Sequence, residues 1–580
     1  MDVETTGAEP YIGSGLLGIG LGAMGETEEY FYAPVEGVPP KAFGPVIEVL
    51  ERLPLLGHNI KFDLHMLAQG LGWAGGQERF FDLIVLARLL APSEHPDLRL
   101  EALVQQYLGY GYDSAAVKAV VAGREVSVED LALKNVHDLR ATKHLYYHLK
   151  AQAPPHLLRL FAEECRITRD LYDIERRGEL IDQDYLARLL PLLDGKIGDA
   201  RVALRELTAD EKFNPSSAPQ VQALMEGLGV KPVKWSAKSG KPSWDKEAML
   251  AVRGQNPVCM GIARYRSLVH LQANIPARCA ATVAAGEDAL HGTLKNWGTA
   301  TGRLASSDPN RQNDPHGWLQ GEADPAGEDV LKWAAGPEQE LSVERLFIAR
   351  PGHVLVRADY RQIEMVILGA YMNDPTFDRW LASGNVHAAV AEELYGDAVK
   401  FYARGKTRNF ALVYGQGVAA EAKADGVSEE EVRRRRQEYF ARMPGYPRLL
   451  NKLRRMLAND HKVRNFFGRE YHLPDDLAYV AVNYLVQGSA GDFVKQRLPA
   501  TRELRRELGI HVLKTTHDDF TFEVPRASLH EMPRLLAALV VNPFGREFGL
   551  DVEWSEYSMA HMRPVEEDTW HAPQGAALAV

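Results

Sequence analysis

The stretch from His353 to Glu364 constrains the fold most, because it joins a buried strand, a carboxylate and a helix with nothing between them. Val354, Leu355 and Val356 read as a buried strand, and Asp359 closes it. Ile363, Val366, Ile367 and Ala370 then recur at helical spacing. Taken alone, Asp359 is explained as a cap of that helix. A second acidic turn, His517-Asp518-Asp519, lies 159 residues on, between the strand-like runs 512–516 and 520–524. Two carboxylates from separate strands, brought together at a hairpin tip, predict a two-metal site that moves phosphates.

The chain has 580 residues, which predicts more than one domain. A 46% hydrophobic and 25% charged composition is that of a globular chain. The net charge of −11 argues against coating nucleic acid by bulk charge, but not against a local basic groove. Cys165, Cys259 and Cys279 are scattered without a CxxC pair, which excludes a cysteine-based zinc site and a disulfide framework and fits a reducing, cytoplasmic setting. No apolar run reaches ~18 residues, so no membrane span is expected. Met1-Asp2-Val3-Glu4 is acidic and does not read as a signal peptide.

Asp2 and Glu4 are two apart and share a face if they lie on a strand. Residues 13–18 spell GxGxxG, but the flanks lack the strand and helix of a dinucleotide site, so 16–21 and 30–32 read as a β-meander. Asp63 lies in a helix that begins near His58, and Asp138 is expected to start another. Long amphipathic helices cover 156–208, and a break follows at 213–217. The basic loop 231–241, with Arg264, Arg266 and Arg278, reads as the lining of a groove for a phosphate backbone. Lys406, Phe410 and Tyr414 form one helical stripe, as do Asn483 and Gln487. Arg433 to Arg436 follow Glu429 to Glu431, so pairs along a solvated helix explain them. Residues 316–340 read as a surface insertion and 563–580 as a disordered tail.

These motifs carry a resemblance. DYRQIE at 359–364 and HDD at 517–519 resemble motifs A and C of the family A DNA polymerases of bacteria and phages. TGRL at 301–304 with PNRQN at 309–313, the Lys406 stripe (motif B) and NYLVQG at 483–488 resemble further signatures, in family order. Asp2, Glu4, Asp63 and Asp138 resemble the four metal-binding carboxylates of DEDD 3′–5′ exonucleases. The resemblance implies a mixed α/β chain: an RNase H-like exonuclease domain (1–150) on a right-hand polymerase. The latter divides into thumb (151–295), palm (296–384 and 471–562) and fingers (385–470), before the tail 563–580.

The implied reaction is template-directed addition of dNTPs to a primer 3′ end by a monomer. Asp359, Asp518 and the Tyr360 carbonyl would hold two magnesium ions, and two more would sit at the exonuclease site. Lys406 and His387 would meet the triphosphate, and Phe410 and Tyr414 the base and template. Glu364 would exclude a ribose 2′-hydroxyl, which argues against a single-subunit RNA polymerase. Arg303, Asn483, Gln487 and His517 would touch the primer-template. Accessory replication partners stay unspecified.

Departures from the pattern are informative. Tyr402 stands where the family has Arg, Arg361 where it commonly has Ser, and Asp519 where it has Glu. The water-orienting Tyr or His of the exonuclease is replaced by Lys134 or Leu133, which predicts weakened trimming. With no strand leading into Asp2, that carboxylate is expected to be poorly anchored, or the chain truncated.

Overall fold

A three-stranded antiparallel meander opens the computed structural model, which describes all residues except 74, 76–78, 92–95, 111–125, 237–238, 316–317, 321–331, 335–340, 415–416, 567–569 and 571–580. β1 (Asp2–Thr5) pairs with β2 (Leu16–Gly22), and β2 with β3 (Tyr30–Pro34). Helices α1 (Ile60–Leu71) and α2 (Val128–Gln152) pack on it. A Cβ on Gly20 would fall 1.5 Å from Asn135 Oδ1, so only glycine lets β2 and α2 approach this closely. The structure corrects the expected helix start: α2 begins at Val128, capped by Ser127, and Asp138 lies mid-helix. Leu131, Leu139, Leu145 and Leu149 carry its buried face in both directions from Asp138.

Helix α3 (Pro155–Arg177) is buried along most of its length and bears three buried acids that face different neighbours. Glu175 pairs with Lys61 and, at 2.8 Å, with His65, both on α1. Glu164 pairs with Arg469 and Lys495 and accepts from Asn296 at 2.8 Å. Asp170 takes Arg502 at 2.7 Å and Arg505 at 3.0 Å. Such carboxylates survive burial because each is matched by cations and hydrogen bonds.

Helix α4 (Gln183–Thr208) leads to a small core of Phe213, Val221, Met225, Trp244 and Ile262. Two of the three arginines expected in a groove are used elsewhere. Arg266 donates to the carbonyls of Pro215 and Trp244, and Arg278 pairs with Glu9 of the N-terminal unit. In the basic loop, Lys234 pairs with Asp245 and Glu247 at 2.8 and 2.7 Å. In the expected insertion, Trp318–Gln320 pairs antiparallel with Lys332–Ala334.

The second half is built on β4 (His353–Tyr360), which runs into α5 (Ile363–Met372). Helices α6 (Val386–Tyr395), α7 (Tyr402–Tyr414) and α8 (Glu429–Arg442) follow. The long helix α9 (Ala478–Leu508) precedes the remaining strands, β5 (His511–Thr516), β6 (Asp519–Pro525), β7 (Leu550–Ser555) and β8 (Arg563–Pro564). The five strands form one antiparallel sheet, ordered β5-β6-β4-β7-β8. The tail reading fails at its first residues: Arg563 lies opposite Trp554 on β7, its guanidinium 4.7 Å from the ring centroid. On α8, Arg433, Arg434 and Arg435 pair with Glu429, Glu431 and Glu438 at 2.6–2.9 Å, as expected along a solvated helix, whereas Arg436 reaches off the helix to the buried Glu421 at 2.8 Å. The three cysteines are free and buried, and no described helix is long and apolar enough to cross a membrane.

Candidate active site

Alternation along β4 decides where Asp359 points. Val354, Val356, Ala358 and Tyr360 enter the main core, while Leu355 enters a second core on the other face. Arg357 and Asp359 share the Leu355 face, and Asp359 reaches solvent. In register, Asp359 lies opposite Asp519 on β6 and opposite Asp551 on β7. The hairpin between β5 and β6 lays its tip on the end of β4: Tyr360 N donates to the Asp518 carbonyl at 3.0 Å. His517 turns that tip in a left-handed conformation (φ 58°).

The result is a crowd of acids. Partial desolvation, then the charges of Asp518, Asp519 and Asp551, push the Asp359 carboxyl up to about 7. Burial raises Asp518 against the pull of Arg303, and lifts Asp519 to about 6 against Lys514. Hard oxygen donors crowded this way fit magnesium. The crowding costs stability in the metal-free protein. The native state keeps a proton on Asp359 that the unfolded chain releases, so stability falls as pH rises from about 4 to about 7. Asp359→Asn is therefore expected to raise the metal-free melting temperature at pH 8, by ~1–2 °C given the solvent exposure of the group. The gain should shrink as pH falls through that window. Calorimetry at pH 5 and 8 checks this, and a lower melting point at pH 8 counts against it.

Arg303 faces the crowd because α9 has glycines where the 301–303 segment crosses it. A Cβ on Gly491 would meet Arg303 Cγ at 2.9 Å, and one on Gly488 the Thr301 carbonyl at 2.7 Å. From there Arg303 forms an ion pair with Glu364, in the first turn of α5. Asn483 and Gln487 are half-buried on α9, and Asn483 Oδ1 is a buried acceptor with no partner. His387 is buried, bonded to Asn409 at 3.0 Å, and burial followed by the Lys406 charge brings its pKa down to about 4. It thus presents a neutral imidazole at the position expected to meet the triphosphate. Lys406 is exposed on α7, and Tyr402 sets its ring edge-on to His387. Phe410 and Tyr414 lie on the α7 backbone; their side chains are outside the described residues.

The N-terminal carboxylates also converge. Oxygens of Asp2, Glu4 and Asp138 lie within 4.8 Å of one another, and Asp63 accepts from Val3 N at 2.9 Å. Asp2 is not poorly anchored. It sits in β1 opposite Gly20, Met1 N donates to the Leu56 carbonyl at 2.8 Å, and Asn135 Nδ2 holds its carboxylate at 2.8 Å. Burial pushes Asp2 up to about 7 and Asp138 to about 9, with neighbouring carboxylates adding to both. Lys134 Nζ lies 2.9 and 3.1 Å from the two oxygens of Glu4 and 2.8 Å from Asp138. That is where a metal shared by β1 and α2 would have to sit, so this site does not fit divalent ions as it stands.

A sequence model described as DNA polymerase family A matches residues 183–555, well over half the chain. The chain belongs to DNA polymerase family A. Among curated relatives, DNA polymerase I of Pseudomonas aeruginosa is 27% identical over 89% of this chain and 58% of that protein. The thermostable DNA polymerase I of Thermus aquaticus is 27% identical over 85% and 56%. The chain thus spans less than two thirds of these relatives. A solved structure titled the POL domain of Pol1 from M. smegmatis, in complex with DNA primer-template and dNTP, has a TM-score of 0.75 at 22% identity. That likeness covers 94% of this chain and 93% of that one, and shows the fold.

The family match takes in the Asp359 sheet, Arg303 and α7, but not the N-terminal cluster. Sequence reasoning missed Asp551. Its only signal is the alternation of Asp551 and Glu553 on β7, which register places beside Asp359 and Arg357. It also missed the Arg303–Glu364 pair, since 61 residues separate the partners.

Proposed function

We propose that this family A chain is a template-directed DNA polymerase that extends a primer 3′ end with dNTPs. The observation that carries the reading is the register of β4 with the β5–β6 hairpin, which brings Asp359 and Asp518 to one sheet end. In this reading 296–384 and 471–562 are palm, 385–470 fingers and 151–295 thumb. Asp359, Asp518 and the Tyr360 carbonyl would hold magnesium, which supplies Lewis-acid stabilisation of phosphoryl transfer when bound. Lys406 neutralises triphosphate charge from the fingers, and Phe410 and Tyr414 line the base-pair side. His387 is assigned there as a neutral hydrogen-bonding group. Arg303, held by Glu364 until DNA arrives, then checks minor-groove shape at the primer end, with Asn483, Gln487 and His517 near the same strands. The DNA and dNTP named for the M. smegmatis relative support these partners. We assign the protein to the cytoplasm of a bacterium or an infected host, acting as a monomer, with an N-terminal unit (1–150) whose exonuclease is weak.

Primer extension with dNTPs, with rNTPs and without magnesium tests the reading; no dNTP-dependent extension overturns it. Glu364→Ala is expected to lower the dNTP/rNTP ratio of kcat/KM by ~10-fold or more, since a filled pocket would then admit the extra hydroxyl. It also leaves Arg303 without that carboxylate, so dNTP extension should fall modestly. An unchanged ratio removes Glu364 from sugar selection.

A further inference from the structure

We propose that Lys134 is a resident cation that occupies the N-terminal carboxylate cluster in place of a divalent ion, and that removing it opens a divalent-cation site there. Lys134 stands one helical turn before Asp138 on α2, so both side chains project from the same face. Its Nζ spans the gap to β1, with three oxygens of Glu4 and Asp138 at 2.8–3.1 Å. An ammonium has three N–H donors, and these three contacts use them all. A magnesium ion needs oxygens at ~2.0–2.1 Å and would fall almost on Nζ if it took Glu4 and Asp138 together. Both cations cannot occupy that volume.

A second observation shows that the cluster retains capacity for a metal. Asp138 is buried, and its Oδ1 has no hydrogen-bond partner. Asp2 keeps one oxygen on Asn135, and Asp63 is fixed by Val3 N. Hard donors from β1, α1 and α2 are therefore already in place. A single lysine, rather than the loss of any carboxylate, keeps metal out. This accounts for the weak exonuclease proposed above, and it rests on that reading only for the origin of the cluster.

The test measures Mn2+ binding by EPR and calorimetry in an Asp359→Ala/Asp518→Ala background, which silences the polymerase site. With Lys134 present, no N-terminal Mn2+ site is expected at concentrations up to ~1 mM, a typical weak-site range. Lys134→Met should bind at least one Mn2+ tenfold or more tighter, Glu4→Gln should abolish the gain, and Lys134→Arg should bind none. Equal Mn2+ binding by the parent and by the Lys134→Met variant overturns the proposal. If Lys134→Met does not fold, the parent titration still decides: tight Mn2+ binding that Glu4→Gln removes also overturns it. Primer extension by the otherwise wild-type protein is scored separately, so failure of the polymerase reading cannot be mistaken for failure of this one.

Discussion

On the proposed reading, Asp359→Ala and Asp518→Ala are each expected to reduce primer extension by ~10⁴-fold or more, in the range seen when one member of a catalytic unit is removed. Binding of primer-template should stay largely intact in both, because these carboxylates are proposed to hold metal and not the phosphate backbone. The two variants should be nearly as damaging singly as together, since each removes one of only two strand-end carboxylates proposed to hold the ions. Asp551→Ala is the informative control. It lies opposite Asp359 in the sheet, yet its partner is Arg361, so a much smaller loss is expected. Single-turnover extension with a DNA-binding measurement on the same preparations checks all of these. Near wild-type extension by either principal variant would falsify the site.

Lys406→Ala is expected to lower kcat for nucleotide addition by ~10²–10³-fold, the usual cost of removing one donor aimed at developing charge. The loss should be larger in kcat than in primer-template affinity. The same substitution has a second, independent readout. His387 is held down to about 4 first by burial and then by the Lys406 charge. Removing the lysine should raise the His387 pKa while leaving it below the ordinary value, because burial remains. Lys406→Arg should restore that depression even if its fork fits the triphosphate poorly. An NMR titration of His387 that does not move would place Lys406 farther from it than the structure does.

Much of the sheet end was legible in sequence because it is local. The run 354–356, the acid at 359 and the helical repeat from Ile363 all lie within one short stretch, and their periods differ. Three of the four arginines on α8 were legible for the same reason, since their partners are three or four residues away, while the Arg436 partner, Glu421, lies 15 residues back. Long-range partners were not. Arg266 and Arg278 looked like groove residues until Pro215, Trp244 and Glu9 took their donors. Asp2 looked unanchored because the strand that holds it pairs with residues 16–20, beyond the motif. The charge state of His387 was not legible at all, because sequence does not report burial, and burial is what neutralises it. Lys134 was visible as a replacement, but only the structure shows that its amine ends among the acids it was expected to leave alone.

The three buried acids of α3 bear on what the protein can lose without coming apart. Glu175 is matched by Lys61 and His65 from the N-terminal unit, while Glu164 and Asp170 are matched by residues from the 469–505 region. Deleting the first 150 residues removes both cations from Glu175, leaves it the Leu294 N–H, and uncovers Leu157, Leu160, Phe161 and Tyr172 on the same helix, whose apolar partners lie in the deleted part. Point substitution among the N-terminal carboxylates leaves these α3 contacts in place, whereas removing the N-terminal unit uncovers the helix that also holds the 469–505 region. One buried helix thus works as a keystone between the two halves, whatever chemistry the N-terminal carboxylates perform.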